Sequence, residues 1–270
     1  MVVFPPCKIN LGLHVVSKRP DGYHNIETCF YPVPWTDILE IIPSEKPGFT
    51  FSGSLISGKK EDNLCVRAYS LLKQDLNIPP VQLHLHKIIP SGAGLGGGSS
   101  DAAATLKLLN EIFSLGMEIE HLRSYASQLG SDIPFFVDPR PALGQGKGEI
   151  ITPLPISLKV KFLIVVSPGI HSSTAEAYRH VKPGQPKSPL MEILEQPIAE
   201  WKDTLLNDFE PSVFSTFPIL QDIKEKLYQH GAGYAGMSGS GSAIFGLFDQ
   251  PPHIGKDFPG MQLWLGRLTQ

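Results

Sequence analysis

Apolar and polar positions along the first half of the chain alternate as strands do, then switch to helical spacing. Residues 9–16 and 25–31 are strand-like runs flanking Pro20-Asp21-Gly22, which predicts a hairpin with a longer loop. Residues 38–42 and 49–51 read as further strands. Asp62-Asn63 then caps a helix carrying Leu64, Ala68, Leu71 and Leu72 on one face. Val81, Leu83 and Leu85 alternate with Gln82, His84 and His86, the pattern of a half-buried strand. After a glycine-rich stretch comes a helix with Ala102, Leu106, Leu109 and Phe113 on one face. A second helix spans 119–129 and stops at Gly130, before Ser131-Asp132-Ile133-Pro134. Residues 139–155 are turn-rich, and a domain boundary is expected near Thr152. Beyond it the pattern predicts a strand over 159–166 and helices over 173–181, 189–196 and 218–229. A Gly/Ser loop from Gly236 to Ser242 then leads into a strand over 243–248. Strands and helices mix without a strict βα rhythm, which favours α+β over a doubly wound sheet.

Composition narrows the classes. A chain of 270 residues fits one large domain or two modest ones and needs no disulfide or metal staple. Charged residues at 18% and hydrophobic ones at 41% describe a soluble globular protein. A formal net charge of -3 gives no basic footprint for nucleic acid. Cys7, Cys29 and Cys65 are odd in number and far apart, so neither a disulfide framework nor a zinc site is implied, and a reducing, cytoplasmic setting is expected. The N-terminus carries no targeting pattern, and the apolar run from Phe162 to Val166 is far too short to span a bilayer. No membrane partner is therefore expected, and the oligomeric state is not readable.

The segment Pro90-Ser-Gly-Ala-Gly-Leu-Gly-Gly-Gly-Ser-Ser-Asp101 carries the chemistry. Gly92, Gly94, Gly96, Gly97 and Gly98 lie between a strand and a helix. One or two glycines suffice for a tight turn with Ser99 as N-cap, and each extra glycine costs conformational entropy. Five of them ahead of a helix N-terminus point to a bound anion, because the first helical N–H groups lack partners and the dipole is positive there. Ser99 or Ser100 can cap the helix, donate to a phosphate or ligate Mg²⁺. The loop lacks the Gly-Lys-Ser/Thr of a Walker A sequence. Gly92, Gly94 and Gly97 satisfy G-x-G-x-x-G by letter, but Glu118 and Glu120 begin a helix where a dinucleotide fold needs a strand ending in an acid.

Pro90 to Ala102, with Leu95 inside it, resembles the second motif of the GHMP kinases. Most of that superfamily has a shorter Gly-Leu-Gly-Ser-Ser. The longer form is similar to the branch whose acceptor is a CDP-linked sugar alcohol of the non-mevalonate isoprenoid route. Cys7-Lys8-Ile9-Asn10-Leu11 resembles that branch's N-terminal stretch, with Cys in place of the usual Ala. Arg19 to His24, Gly130 to Phe136, Asn207 to Pro211 and Met237 to Ala243 match four more stretches in the same order, so the resemblance runs from about residue 7 to 248. The Pro-rich segment 181–200 has no counterpart. The resemblance implies an N-terminal ATP-binding domain over 1–152 (ribosomal S5 domain 2-like) and a C-terminal ferredoxin-like domain over 153–270, with ATP and acceptor in the cleft between them. It implies ATP, with Mg²⁺, as cosubstrate and phosphorylation of the acceptor's 2-hydroxyl.

Residue by residue, the resemblance places Asp132 at the acceptor hydroxyl as base or orienting group, with Lys8 beside it. Without it, Asp132 reads equally as a cap of the turn before Pro134, and Lys8 as a surface lysine. Asn63, Leu64 and Lys87 match the family's ATP pocket. Tyr23 and Tyr178 match aromatics that stack on the cytosine, His24 a residue that hydrogen-bonds the base edge, and Asn10 and Thr174 positions near the diphosphate and sugar. His171, His180, His84 and His86 read as surface histidines. The rival readings are a sibling kinase acting on homoserine or mevalonate, and a non-catalytic binding protein on the same fold.

Overall fold

The computed structural model describes residues 1–54 and 58–268. The strands are β1 (Val2–Val3), β2 (Pro6–Lys18), β3 (His24–Thr36), β4 (Ile38–Pro43), β5 (Gly48–Gly53), β6 (Val81–Lys87), β7 (Ala142–Gly146), β8 (Ile150–Pro153), β9 (Phe162–Ser167), β10 (Tyr234–Met237), β11 (Ile244–Phe248) and β12 (Gln262–Arg267). The helices are α1 (Leu64–Leu76), α2 (Gly97–Ile112), α3 (Ile119–Leu129), α4 (Ile133–Val137), α5 (Thr174–His180), α6 (Leu190–Leu194), α7 (Glu210–Thr216) and α8 (Pro218–Gln229). This is an α+β fold. The chain divides into two compact units, neither continuous in sequence.

The first unit holds Met1–Lys8, Trp35–Ser91 and Gly96–Arg140. Its sheet has the order β1-β4-β6-β5. Leu39 faces Leu85 and Ile41 faces Leu83 across the antiparallel β4–β6 pair, and all four are buried, as the alternating pattern requires. Helices α1 to α4 pack against one another, and α2 lies on β4. Asn63 caps α1 by accepting from the Cys65 N–H at 2.9 Å.

The second unit holds Ile9–Pro34, Gly92–Leu95 and Pro141–Gln270. It contains the sheet β10-β11-β9-β12 and most of the sheet β2-β3-β7-β8. Leu220, Ile223 and Leu227 of α8 are buried at helical spacing in a core shared with Ile164, Val166, Ile244 and Phe248.

Several elements differ from the sequence expectation. β9 begins at Phe162 rather than near residue 159, because Val160 has φ +70° and lies in a turn. The turn-rich segment contains the antiparallel pair β7–β8. The helix after the glycine loop starts at Gly97, with Gly96 and not Ser99 at its N-cap position, so both serines lie inside its first turn.

Candidate functional site

The glycine-rich loop is shaped by close approach. Gly94 has φ +78°, and a Cβ there would stand 2.0 Å from the Ser238 carbonyl oxygen. The second glycine loop grips this half of the first: Ser238 Oγ donates to the Gly94 carbonyl at 2.9 Å and Ala243 N to the Ala93 carbonyl at 3.0 Å. Leu95 is buried and Pro90 half-buried at its approaches. Gly96 has φ +69°, and a Cβ would press on the Phe136 ring at 2.8 Å and the Lys8 stem at 3.3 Å. The Ser100 N–H returns to the Gly96 carbonyl at 2.9 Å, so among the described residues the N–H groups of Gly97, Gly98 and Ser99 are the helix's unclaimed donors. These donors and the dipole of a 16-residue helix are an arrangement that can hold an anion.

Lys8 and Asp132 come together in the first unit. Lys8 is 3% exposed. Burial lowers its ammonium below the usual lysine range, and the Asp132 carboxylate opposes that shift. Asp132 stands at the N-cap position of α4, yet its side chain makes no capping hydrogen bond.

Asn63, Leu64, Lys87 and Gly98 line one cavity of about 190 Å³, together with Ser91 and Asp101. The Lys87 ammonium lies against the loop, 2.8 Å from where a Gly97 Cβ would stand. It is buried between two carboxylates, donating to Asp37 Oδ2 and, at 2.8 Å, to Asp101 Oδ2. Asp37 Oδ1 accepts from the N–H groups of Ile88 and Ile89 at 2.6 and 2.8 Å, while Asp101 Oδ1 is buried with no hydrogen-bond partner among the described residues. Burial pulls Lys87 down, but the two carboxylates outweigh it and raise it, so it stays charged; burial raises the Asp101 carboxyl, against Lys87.

The expected acceptor residues lie in the second unit. Asn10 is buried, donates to Thr28 Oγ1 at 2.9 Å and accepts from Ser238 Oγ at 3.4 Å. Thr174 Oγ1 meets Ser240 Oγ at 2.9 Å. The Tyr178 ring stacks on His24 at 4.8 Å and 13° and meets Phe209 edge-on. His24 is held below the usual imidazole range by burial and by Lys18. Tyr23 is 60% exposed, with the Lys147 ammonium 4.8 Å above its ring.

Comparison with known proteins decides the lineage. Residues 63–138 match the GHMP kinases N terminal domain and 190–256 the GHMP kinases C terminal domain. A 4-diphosphocytidyl-2-C-methyl-D-erythritol kinase from Cytophaga hutchinsonii is 51% identical over 253 residues, covering 93% of this chain and 94% of that protein. The enzyme of that name from Parabacteroides distasonis is 48% identical over 271 residues and covers both chains fully. The chain belongs to the 4-diphosphocytidyl-2-C-methyl-D-erythritol kinase family. A crystal structure of a kinase of this family superposes with a TM-score of 0.84 at 34% identity over the whole of both chains. The fold expected from the motifs is thus the GHMP kinase fold, and the protein is a small-molecule kinase.

Some residues of this kinase escaped the sequence reading. Asp37 drew no attention in the sequence and Asp101 only as the end of the glycine-rich segment, because their burial has no sequence signature. His171 was read as a surface histidine. It is exposed, yet its Nδ1 lies 2.6 Å from where a Gly92 Cβ would be. Lys147, between two glycines of a turn, gave no sign of reaching Tyr23.

Proposed function

We infer that this kinase transfers the γ-phosphoryl group of ATP to the 2-hydroxyl of 4-diphosphocytidyl-2-C-methyl-D-erythritol, a step in non-mevalonate isoprenoid precursor synthesis. The observation that carries the reading is the buried Lys8 ammonium set against an Asp132 carboxylate that caps nothing, beside Gly96 of the anion loop. Phosphoryl transfer asks for an aligned acceptor oxygen and stabilised charge on the transferring group. In this reading Asp132 orients the acceptor hydroxyl and takes its proton. Lys8 lies beside that carboxylate and offsets negative charge at the reacting oxygens.

The unclaimed N–H groups of Gly97 to Ser99, with the backbone from Pro90 through Gly92, Gly94 and Leu95, hold the ATP phosphates. Asn63, Leu64 and the buried stem of Lys87 line the adenosine side. Asn10, Tyr23, His24, Thr174 and Tyr178 hold the acceptor, its cytosine on the aromatic groups. Neutral His24 offers that base one donor and one acceptor. Mg²⁺ fits as an ion carried by phosphates and water with Ser99 or Ser100. Among the described residues no cluster of three or more His, Cys, Asp or Glu is placed to hold a metal, and Mg²⁺ commonly binds through substrate phosphates. When bound it neutralises phosphate charge. Three buried, unpaired cysteines support placing the enzyme in the cytoplasm.

ADP release with the CDP-linked acceptor tests this, comparing wild type with Asp132→Asn. Turnover that falls by about 10²–10⁴-fold in the variant, with the KM for ATP kept, supports it. Wild-type turnover on homoserine or mevalonate alone would overturn the acceptor assignment. An unimpaired variant would remove Asp132 from the reaction.

A further inference from the structure

Two turns of the second unit meet at the ring of Tyr23. The first joins β2 to β3 and is wired by its own polar groups. The Arg19 N–H donates to the Tyr23 carbonyl at 2.8 Å and the Gly22 N–H to the Arg19 carbonyl at 3.1 Å. Asp21 Oδ1 accepts the Tyr23 N–H at 3.1 Å, and Arg19 reaches both Asp21 and Asn25. The second turn joins β7 to β8. There the Gly148 N–H donates to the Gln145 carbonyl at 3.0 Å, and the Lys147 N–H donates to the Glu149 carboxylate. Pairing of Ile26 with Gly146 brings the two turns to the same end of the sheet.

Tyr23 needs an external hold. Its backbone is fixed, but its ring is 60% exposed and has no core to lie in. Lys147 is half-buried, its ammonium 4.8 Å from the ring centroid. That distance is within reach of a cation–π attraction. The same ammonium acts with the Tyr23 N–H and Arg19 to hold Asp21 ionised, against burial. One cation thus bears on both the ring and the acid of this turn.

We propose that Lys147 is a positioning residue for base recognition: it clamps one face of the Tyr23 ring and leaves the opposite face as an oriented platform for a pyrimidine. This rests on the acceptor reading above, in which Tyr23 stacks on the base. Lys147 acts on the nucleoside through the ring and makes no phosphate contact.

The test is calorimetric titration of the full chain with cytidine and, separately, with cytidine 5′-diphosphate. Lys147→Met is expected to weaken both ligands equally, by about two- to five-fold, the range of an exposed cation–π contact. Lys147→Arg should restore both. In a Tyr23→Leu background, Lys147→Met should have no further effect. The KM for the acceptor should rise by the same factor, with kcat and the KM for ATP unmoved. Loss of diphosphate binding with cytidine unaffected would make Lys147 a phosphate contact and overturn the proposal. So would an undiminished effect of Lys147→Met without the Tyr23 ring, or no effect in an otherwise intact, cytidine-binding protein. Wild type binding neither ligand would instead remove the acceptor reading, and this inference with it.

Discussion

Asp37→Asn and Asp101→Asn remove one charge each from the same buried cluster, yet the geometry makes them very unequal. Asp37 is fully buried and uses both oxygens: Oδ1 accepts the Ile88 and Ile89 N–H groups, and Oδ2 accepts Lys87. An amide in its place has one oxygen. If that oxygen keeps the two N–H groups, an NH₂ faces the ammonium; if it keeps Lys87, an NH₂ faces two backbone donors. Either way a buried donor loses its partner, at about 1–3 kcal/mol each, and a buried ion pair is broken, at about 3–5 kcal/mol. Asp101 remains beside Lys87, so Asp37→Asn is expected to destabilise by about 3–5 kcal/mol, not the sum. Asp101→Asn is different. Its Oδ2 role can pass to the amide oxygen, and its NH₂ replaces an oxygen that had no partner. Lys87 keeps Asp37, and one of two carboxylates crowding a single ammonium is gone. The expected change is within about 1.5 kcal/mol of wild type. Urea unfolding at fixed pH, compared at a common slope, measures both. Equal losses, or the reverse order, would refute the view that Asp37 carries the neutralisation of Lys87.

Lys8→Met is expected to abolish turnover while raising the urea midpoint. Burial lowers the Lys8 pKa below 10.5, so the cost of holding it charged is fully present below the folded pKa and is relieved as pH rises toward 10.5; the advantage of Met should shrink with alkalinity, and a pH-independent difference would contradict the burial argument. Gly94→Ala places a methyl 2.0 Å from the Ser238 carbonyl at φ +78° and should destabilise by about 1–3 kcal/mol, read as a lowered thermal midpoint with a raised KM for ATP. His24, pushed below 6.5 by burial and Lys18, stays neutral through the neutral range; the KM for the acceptor should therefore rise only below pH 6.5, and that acid limb should be absent in His24→Gln.

What could be read in advance follows from how local each signal is. α1, α3 and α8 were legible because each coincides with an end signal, Asn63, Gly130 and Gly231. β12 was not, since Gln262–Arg267 alternates only between exposed and half-buried positions. β7 was hidden by Gly144 and Gly146, which read as turn residues although a Cβ at Gly144 would strike the Phe30 ring at 2.3 Å. α7 was missed because Pro211 looks like a breaker, whereas it occupies the first turn, where its missing N–H is harmless. Motifs named Lys8, Asn63, Lys87 and Asp132, but partners such as Asp37 come from distant stretches. Nor can any local pattern show that the chain changes compact unit between Leu95 and Gly96.

That crossing accounts for the surplus of glycine in the loop better than turn chemistry does. A turn alone explains one or two positive φ values. Here the first half of the loop lies under the Ser238 carbonyl and the second half against Phe136 and the Lys8 stem. Each half therefore loses its side chain to a different wall. Gly98 is the exception that separates packing from binding. Its Cβ would meet only Leu64, at an ordinary 3.8 Å, and it faces the cavity that Asn63 and Lys87 also line. Packing does not require glycine at 98; in the proposed reading, a ligand lying close to the backbone does. Gly98→Ala should accordingly leave the unfolding midpoint unchanged, or raise it by the usual helix preference for alanine, while raising the KM for ATP. A lower midpoint with unchanged KM would return Gly98 to the architecture and leave the phosphate reading resting on the helix N-terminus alone.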